Sequence, residues 1–436
     1  MISRSSFAVG LFVLSALLLW AGRTLADDSA RLSVEQCVAT SLERNRDVLR
    51  SRERLSKLDG QIEEVKSQVY PRIGVAAGYR RSYDESTRVS FGGVVARGET
   101  DSYTVATTLS QLLFSWGKAS TAVEIAQVSR IQAEYDLGAV ERDVKLKVHE
   151  AFYRLLLAQR LVEVAAETLS QREYHLDVAT KRYEAGVVNE FEVIRARVDV
   201  ANARSPLIRA RNQVLQAEAG LNNLLARDQR APIEVAGQLE YVALVGLTLE
   251  EIIQRALSRR PELASLGAAR DIAEKNLAIA RAEDKPTANM QAEYGFASEE
   301  PENLNPNRER WSAGVVLSLP LFDGWRTRGL VAQAASQIRE VDITTRQLQE
   351  SITLEAKISL DDLRESQEII EASSLNIQQA EQALSLADTS YQYGVATTLD
   401  VTDAQLGLTV ARTNHARALH DYMLAKARVL SVMNSL

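Results

Sequence analysis

The sequence predicts an α+β membrane protein made of two tandem repeats, each running helix, strand, strand, long helix, helix. Three observations predict it. Stretches of the first half return in the second at a nearly constant distance. Four segments of about ten residues alternate apolar with polar side chains. Two far longer segments carry apolar residues at three- and four-residue steps without a proline.

The repeat is read from matched pairs. "RYEAGVVNEFEVIRARVD", starting at Arg182, returns as "YQYGVATTLDVTDAQ", starting at Tyr391. Tyr183, Gly186, Val187, Val193 and Ala196 align with Tyr391, Gly394, Val395, Val401 and Ala404, about 208 residues on. Earlier pairs (Leu32 with Leu247, Pro71 with Pro286, Tyr79 with Tyr294) lie about 215 residues apart. Phe114 and Phe322 already follow the shorter spacing. One insertion of roughly seven residues therefore falls between Tyr79 and Phe114, where a hairpin tip would tolerate it. The repeats are placed at 32–226 and 247–433, joined by a connector at 227–246 that carries Pro232 and two glycines.

In chain order, residues 1–26 read as a secretory leader. Arg4 gives a positive start, Phe7 to Trp20 an apolar run, and Thr24-Leu25-Ala26 a small-residue cleavage site. Cys37 is the single cysteine, so no internal disulfide forms, and it reads as a small buried helix residue. Ser33 with Gln36 and Thr248 with Glu251 are capping boxes that open a helix in each repeat. Pro71 and Pro286 are expected to close those helices, because proline restricts the residue before it.

The period then changes to two. Strands are expected at about 71–84, 101–114, 286–297 and 309–320. In the third, Ala288, Met290, Ala292, Tyr294 and Phe296 share one face, and Asn289, Gln291, Glu293 and Gly295 the other. Any one such strand fits a soluble sheet with one buried face. Four of them in two matched hairpins of an exported chain fit a membrane barrel with a wet lumen. Trp116 and Trp325 stand where each hairpin hands over to a helix, as membrane-interface aromatics do. The helical pattern that follows runs from Gly117 to about Arg182, and again from Trp325 to about Tyr393. A helix of roughly 66 residues is about 100 Å long, longer than a compact domain needs and suited to a coiled-coil wall.

Composition excludes several functions. The net charge of -7 argues against nucleic acid as a partner. The four histidines, His149, His175, His415 and His420, lack metal-ligand spacing, and no phosphate loop or serine elbow is present. No enzyme activity, metal or cofactor is called for. A soluble periplasmic coiled-coil scaffold or adaptor is the rival reading, and it leaves the amphipathic hairpins unexplained. Four strands cannot close a barrel in lipid, so the chain must associate. A dimer would give eight strands and a trimer twelve, and the periodicity does not choose.

The two-repeat layout, the paired hairpins, "LFSWG" and "LPLFDG" before the long helices, and "YQYGVATTLDVTDAQ" together resemble the TolC-like outer-membrane factor family over nearly the whole chain. The resemblance implies a homotrimer with a shared 12-stranded β-barrel in the outer membrane of a Gram-negative-type cell and a long α-helical barrel across the periplasm. It implies an exit duct for tripartite efflux or type I secretion. Its partners would be outer-membrane lipid, a periplasmic adaptor (membrane fusion) protein and an inner-membrane transporter of the RND, ABC or MFS type. The sequence names no cargo.

The resemblance also assigns a gate. Asp400 has an ordinary role as the acidic partner of the Thr397 cap, and Glu192 repeats it after Asn189. Asp403 lies past the first turn, its repeat partner is Arg195, and a three-residue step puts it on one face with Asp400. Family aspartates matching both positions ring the narrowest point of the tunnel, which implies a cation-selective neck. Glu192, Arg195 and Tyr391 are candidate gate contacts. Where family members with a locked tip carry an arginine, two residues past the turn glycine, this chain has Ala396.

Overall fold

The computed structural model describes residues 31–84, 89–90, 93–94, 98–244, 246–298 and 309–436. The expected leader and most of the two hairpin tips lie outside the described residues.

Each repeat opens with two short helices rather than one. Helices α1 (Val34–Arg44) and α2 (Arg46–Lys66) meet at Asn45, and α5 (Leu249–Arg259) and α6 (Pro261–Arg281) meet at Arg260. This corrects the single helix expected between Ser33 and Pro71 and between Thr248 and Pro286. Both break residues are extended, with ψ of 133° and 122°. The Asn45 side chain accepts the Asp47 N–H and so starts α2. Pro261, first in α6, pushes Arg260 out of the helical region. Each break residue is then tied to the end of its own repeat. Asn45 Nδ2 donates to the Leu224 carbonyl at 3.0 Å, and Arg260 Nε to the Val432 carbonyl at 3.1 Å. Both capping boxes form.

The strands are β1 (Arg72–Asp84), the two-residue pieces β2 (Val89–Ser90) and β3 (Gly93–Val94), β4 (Gly98–Phe114), β5 (Thr287–Ser298) and β6 (Glu309–Ser318). The main sheet is antiparallel, ordered β1-β4-β5-β6, so the two hairpins pair through β4 and β5. Its register aligns the faces. Tyr79 sits across from Tyr103, Thr107 from Tyr294, and Tyr294 from Trp311. Opposite that apolar, aromatic face runs a face of small, hydroxyl and larger polar residues, with Gly74 across from Thr108, Thr108 from Glu293 and Ser110 from Gln291. Gly295 is needed there. A Cβ on it would come within 2.3 Å of the Val105 carbonyl oxygen. Among the described residues, the two outer strands, β1 and β6, have no further strand beside them.

Each hairpin runs into α3 (Lys118–Glu184) or α7 (Arg326–Gln392), both 67 residues long, about 100 Å. Each then turns into α4 (Glu190–Leu224) or α8 (Thr398–Val432), both 35 residues long. Near the sheet the helices lie in the order α2, α3, α6, α7, and toward the far end in the order α4, α3, α8, α7. Among the described residues, no helix is long and apolar enough to cross a membrane.

The core sits where the short helices meet the middle of the long ones, and it too is duplicated. Cys37, Val144, Val148, Phe152, Leu155 and Leu221 form one cluster. Ile252, Ile352, Ala356, Leu360, Leu363 and Val429 stand at the matching positions of the other. Cys37 therefore occupies the place of Ile252, and burial raises its thiol pKa to about 11, which makes it an apolar filler. The connector packs alongside. At the Leu32–Val235 bridge the Leu32 N–H donates to the Glu234 carbonyl and the Ala236 N–H to the Leu32 carbonyl, both at 2.9 Å, and the Tyr422 hydroxyl donates to the Val242 carbonyl at 2.8 Å.

Candidate functional site

The far end of the molecule holds two helix turns with one backbone design. Gly186 and Gly394 take φ of 73° and 75°, the left-handed region open to glycine. Each α3 or α7 helix closes by the same pair of bonds: Gly186 N–H to the Tyr183 carbonyl with Val187 N–H to that of Arg182, and Gly394 N–H to that of Tyr391 with Val395 N–H to that of Ser390. Three residues beyond each glycine stands an extended N-cap, Asn189 or Thr397.

The side chains then diverge. At Thr397 the capping box is complete. Asp400 Oδ2 accepts the Thr397 N–H and hydroxyl, both at 2.7 Å, and Thr397 Oγ1 accepts the Asp400 N–H at 3.3 Å. The Thr397 hydroxyl first, and then its N–H, hold the Asp400 carboxyl below the usual carboxylate pKa. At Asn189 only half of the device forms, with the side chain accepting the Glu192 N–H at 3.3 Å. The Glu192 carboxylate does not return to the cap, as its sequence position suggested. It accepts the Thr398 hydroxyl at 2.7 Å, across to the other hairpin.

Thr398 joins a wider circuit. Its oxygen lies 3.5 Å from the Tyr391 hydroxyl, and the Arg182 guanidinium stands 4.7 Å from the centre of the Tyr391 ring. Arg182, Glu192, Tyr391 and Thr398 come one each from α3, α4, α7 and α8. Sequence reasoning found Glu192 and Tyr391 but missed Thr398 and Arg182. Asp403 is exposed one turn below Asp400. Arg195 is half-buried and makes no hydrogen bond or ion pair among the described residues.

Above the turns is a polar junction that the sequence did not signal. His175 Nε2 on α3 lies 3.8 Å from Asp388 Oδ1 on α7. Burial lowers the His175 pKa, against the pull of Asp388 and with a further push from Arg172. Higher still, Arg412 of α8 pairs with Glu167 of α3 and with Glu381 of α7 at 3.1 Å.

At the opposite end, the two hand-over turns place Trp116 and Trp325 at the sheet's margin, both exposed. They are not equivalent by repeat spacing. Trp116 and Gly117 take φ of 53° and 81°, and Gly324 and Trp325 take 64° and 69°. The left-handed pair is kept while tryptophan and glycine trade places within it. Trp116 packs edge-on against Phe114 at 5.5 Å, and Trp325 against Phe322 at 6.1 Å. Glu283 ties both turns together, 3.5 Å from Lys118 and 3.1 Å from Arg326.

The outer membrane efflux protein family profile matches residues 38–227 and 252–435. Protein CyaE of Bordetella pertussis is 26% identical over 288 residues, 66% of this chain and 59% of that protein. The cobalt-zinc-cadmium resistance protein CzcC of Cupriavidus metallidurans is 27% identical over 310 residues, 70% of each. Among solved structures, the outer membrane protein VceC of Vibrio cholerae superposes with a TM-score of 0.76 over 92% of this chain and 95% of that one, at 20% identity.

Proposed function

The chain belongs to the outer membrane efflux protein family, and on that premise we propose that it is an exit duct carrying substrate from the periplasm through the outer membrane. The observation that carries this reading is the four-stranded sheet. One face is apolar and aromatic, the other small and polar, and among the described residues β1 and β6 are open edges at its two sides. Open edges in lipid cost several kcal/mol per unpaired backbone group, so β6 of one copy pairs with β1 of the next. The helices support the same closure. α4 and α7 are the outermost helices at the far end, and both expose apolar residues. These include Phe191, Ile194 and Val198 on α4, and Ile369, Leu375 and Leu386 on α7. Three copies give twelve strands and a helical tube. In this reading the repeats are 32–226 and 247–433, with the connector at the tube's equator.

The tip is the gate. Around a threefold axis, Asp400 and Asp403 form a ring of six carboxylates that holds cations at the neck. The circuit of Arg182, Tyr391, Thr398 and Glu192 clasps the two hairpins of each protomer, standing in for the arginine that Ala396 replaces. Trp116 and Trp325 mark the membrane's periplasmic boundary. A periplasmic adaptor and an inner-membrane transporter complete the path, and as a passive duct the chain itself does no catalysis.

The test is assembly and conduction. Detergent-solubilised protein should scatter light as a trimer of about 140 kDa, three 48.2 kDa chains less their leaders. In planar bilayers it should give cation-selective current that multivalent cations block from the tip side. A stable monomer that is extracted by salt alone would return the soluble scaffold reading.

A further inference from the structure

The two hand-over turns differ in a way that the repeat does not require. In the first, β4 stays in the sheet to Phe114. In the second, β6 stops at Ser318, four residues short of the matching position. Pro320 accounts for the difference, since it has no N–H to give a ladder. The freed segment projects Leu321 and Phe322, 91% and 77% exposed, where their counterparts Leu113 and Phe114 are 50% and 48% exposed.

The charges differ as well. α7 begins with Arg326 and Arg328 and has no acidic residue in its first turn, although a helix start favours negative charge. Arg326 is matched by Lys118 in the first repeat, and both are paired with Glu283. Arg328 is matched by Ser120. Its guanidinium lies 6.0 Å from the centre of the Trp325 ring, and it makes no ion pair among the described residues. The nearby carboxylates are engaged. Asp323 accepts the Thr327 N–H at 2.8 Å, and Asp284 lies 3.3 Å from Lys285.

We propose that this second turn, Leu319 to Arg328, is a binding site for anionic phospholipid in the periplasm-facing leaflet. Leu321, Phe322 and the Trp325 ring enter the acyl region, continuing the apolar face of the sheet. Arg328 meets the headgroup phosphate, and the first turn has no equivalent. The proposal rests on the membrane placement of the strands proposed above.

Bromine-labelled lipids test it, because bromine on an acyl chain quenches a tryptophan in contact with it. The full-length protein is placed in nanodiscs of phosphatidylcholine and phosphatidylglycerol, with one or the other lipid brominated. Two reporters are used, one keeping only Trp325 (Trp20, Trp116 and Trp311 changed to Phe) and one keeping only Trp116. Brominated phosphatidylglycerol should quench Trp325 several-fold more per lipid than brominated phosphatidylcholine. Arg328→Gln should abolish that preference, Arg328→Lys should keep most of it, and Trp116 should show none. Equal quenching of Trp325 by both lipids overturns the headgroup site while leaving the membrane placement intact. A preference that survives Arg328→Gln overturns the role of Arg328. No quenching of either tryptophan by either lipid overturns the placement itself.

Discussion

The two helix turns at the far end share a backbone and not a chemistry. Both turns use a left-handed glycine, the same pair of closing hydrogen bonds and an extended cap three residues on. At the next matched positions, Glu192 faces Asp400 in the alignment and Arg195 faces Asp403. One carboxylate closes a capping box while its counterpart reaches 2.7 Å into the other hairpin. The positions that a turn demands are duplicated, and the positions it leaves free have been given different work.

The largest effect should come from making the two turns alike. Asp403→Arg, which copies the first into the second, should abolish cation block of single-channel current entering from the tip side, and Asp403→Ala should remove most of it. Arg195→Asp, the reverse copy, should deepen block. If planar-bilayer recordings show block unchanged in all three, the ring is not at these positions.

Next come the glycines. Because both turns hold the same φ, Gly186→Val and Gly394→Val should each destabilise by about 1–2 kcal/mol, the cost of a β-branched residue in the left-handed region. Unequal losses in denaturant titrations would mean that the two turns are less alike than their bonds suggest.

A smaller effect is expected from Thr398→Val, which removes the hydroxyl that Glu192 accepts. It should weaken the clasp by about 1 kcal/mol and raise the open fraction of the channel, with little change in thermal stability. Glu192→Gln should be milder, since an amide oxygen can still accept. A Thr398→Val channel with unaltered conductance would reduce the circuit to packing.

The smallest concerns pH. Burial holds the folded His175 pKa below its ordinary 6.5. Unpacked chains then bind the extra proton first, so the junction is most stable above pH 6.5 and loses stability as pH falls through that value. The loss levels off below the lowered folded value. Hydrogen exchange of tip amides should show this slope in the native protein, and His175→Gln should flatten it.

Much of this was legible in one dimension. Helix-to-helix spacing, the two-residue period of the strands and the glycine-cap wording at the turns are local rules, and each is satisfied by neighbours within a few residues. The matched cores follow from the same spacing, which is why Cys37 could be read as a buried helix residue. The break at Arg260 was missed although Pro261 marks it locally, whereas the break at Asn45 is secured by the Leu224 carbonyl, far along the chain. Asp400 as a cap partner was readable from Thr397 alone.

What only the tertiary structure decided are the contacts between residues 43 to 206 or more positions apart. Glu192 reads in sequence as a capping acid, and becomes a partner of Thr398 only when folding brings the starts of α4 and α8 together at the turns. Arg182 on Tyr391, His175 beside Asp388, and Glu283 shared by Lys118 and Arg326 are of the same kind. The physical reason is range. Periodicity and capping act over one or two helical turns and leave their mark in neighbouring residues, while a hydrogen bond between helices depends on packing geometry that no local pattern encodes.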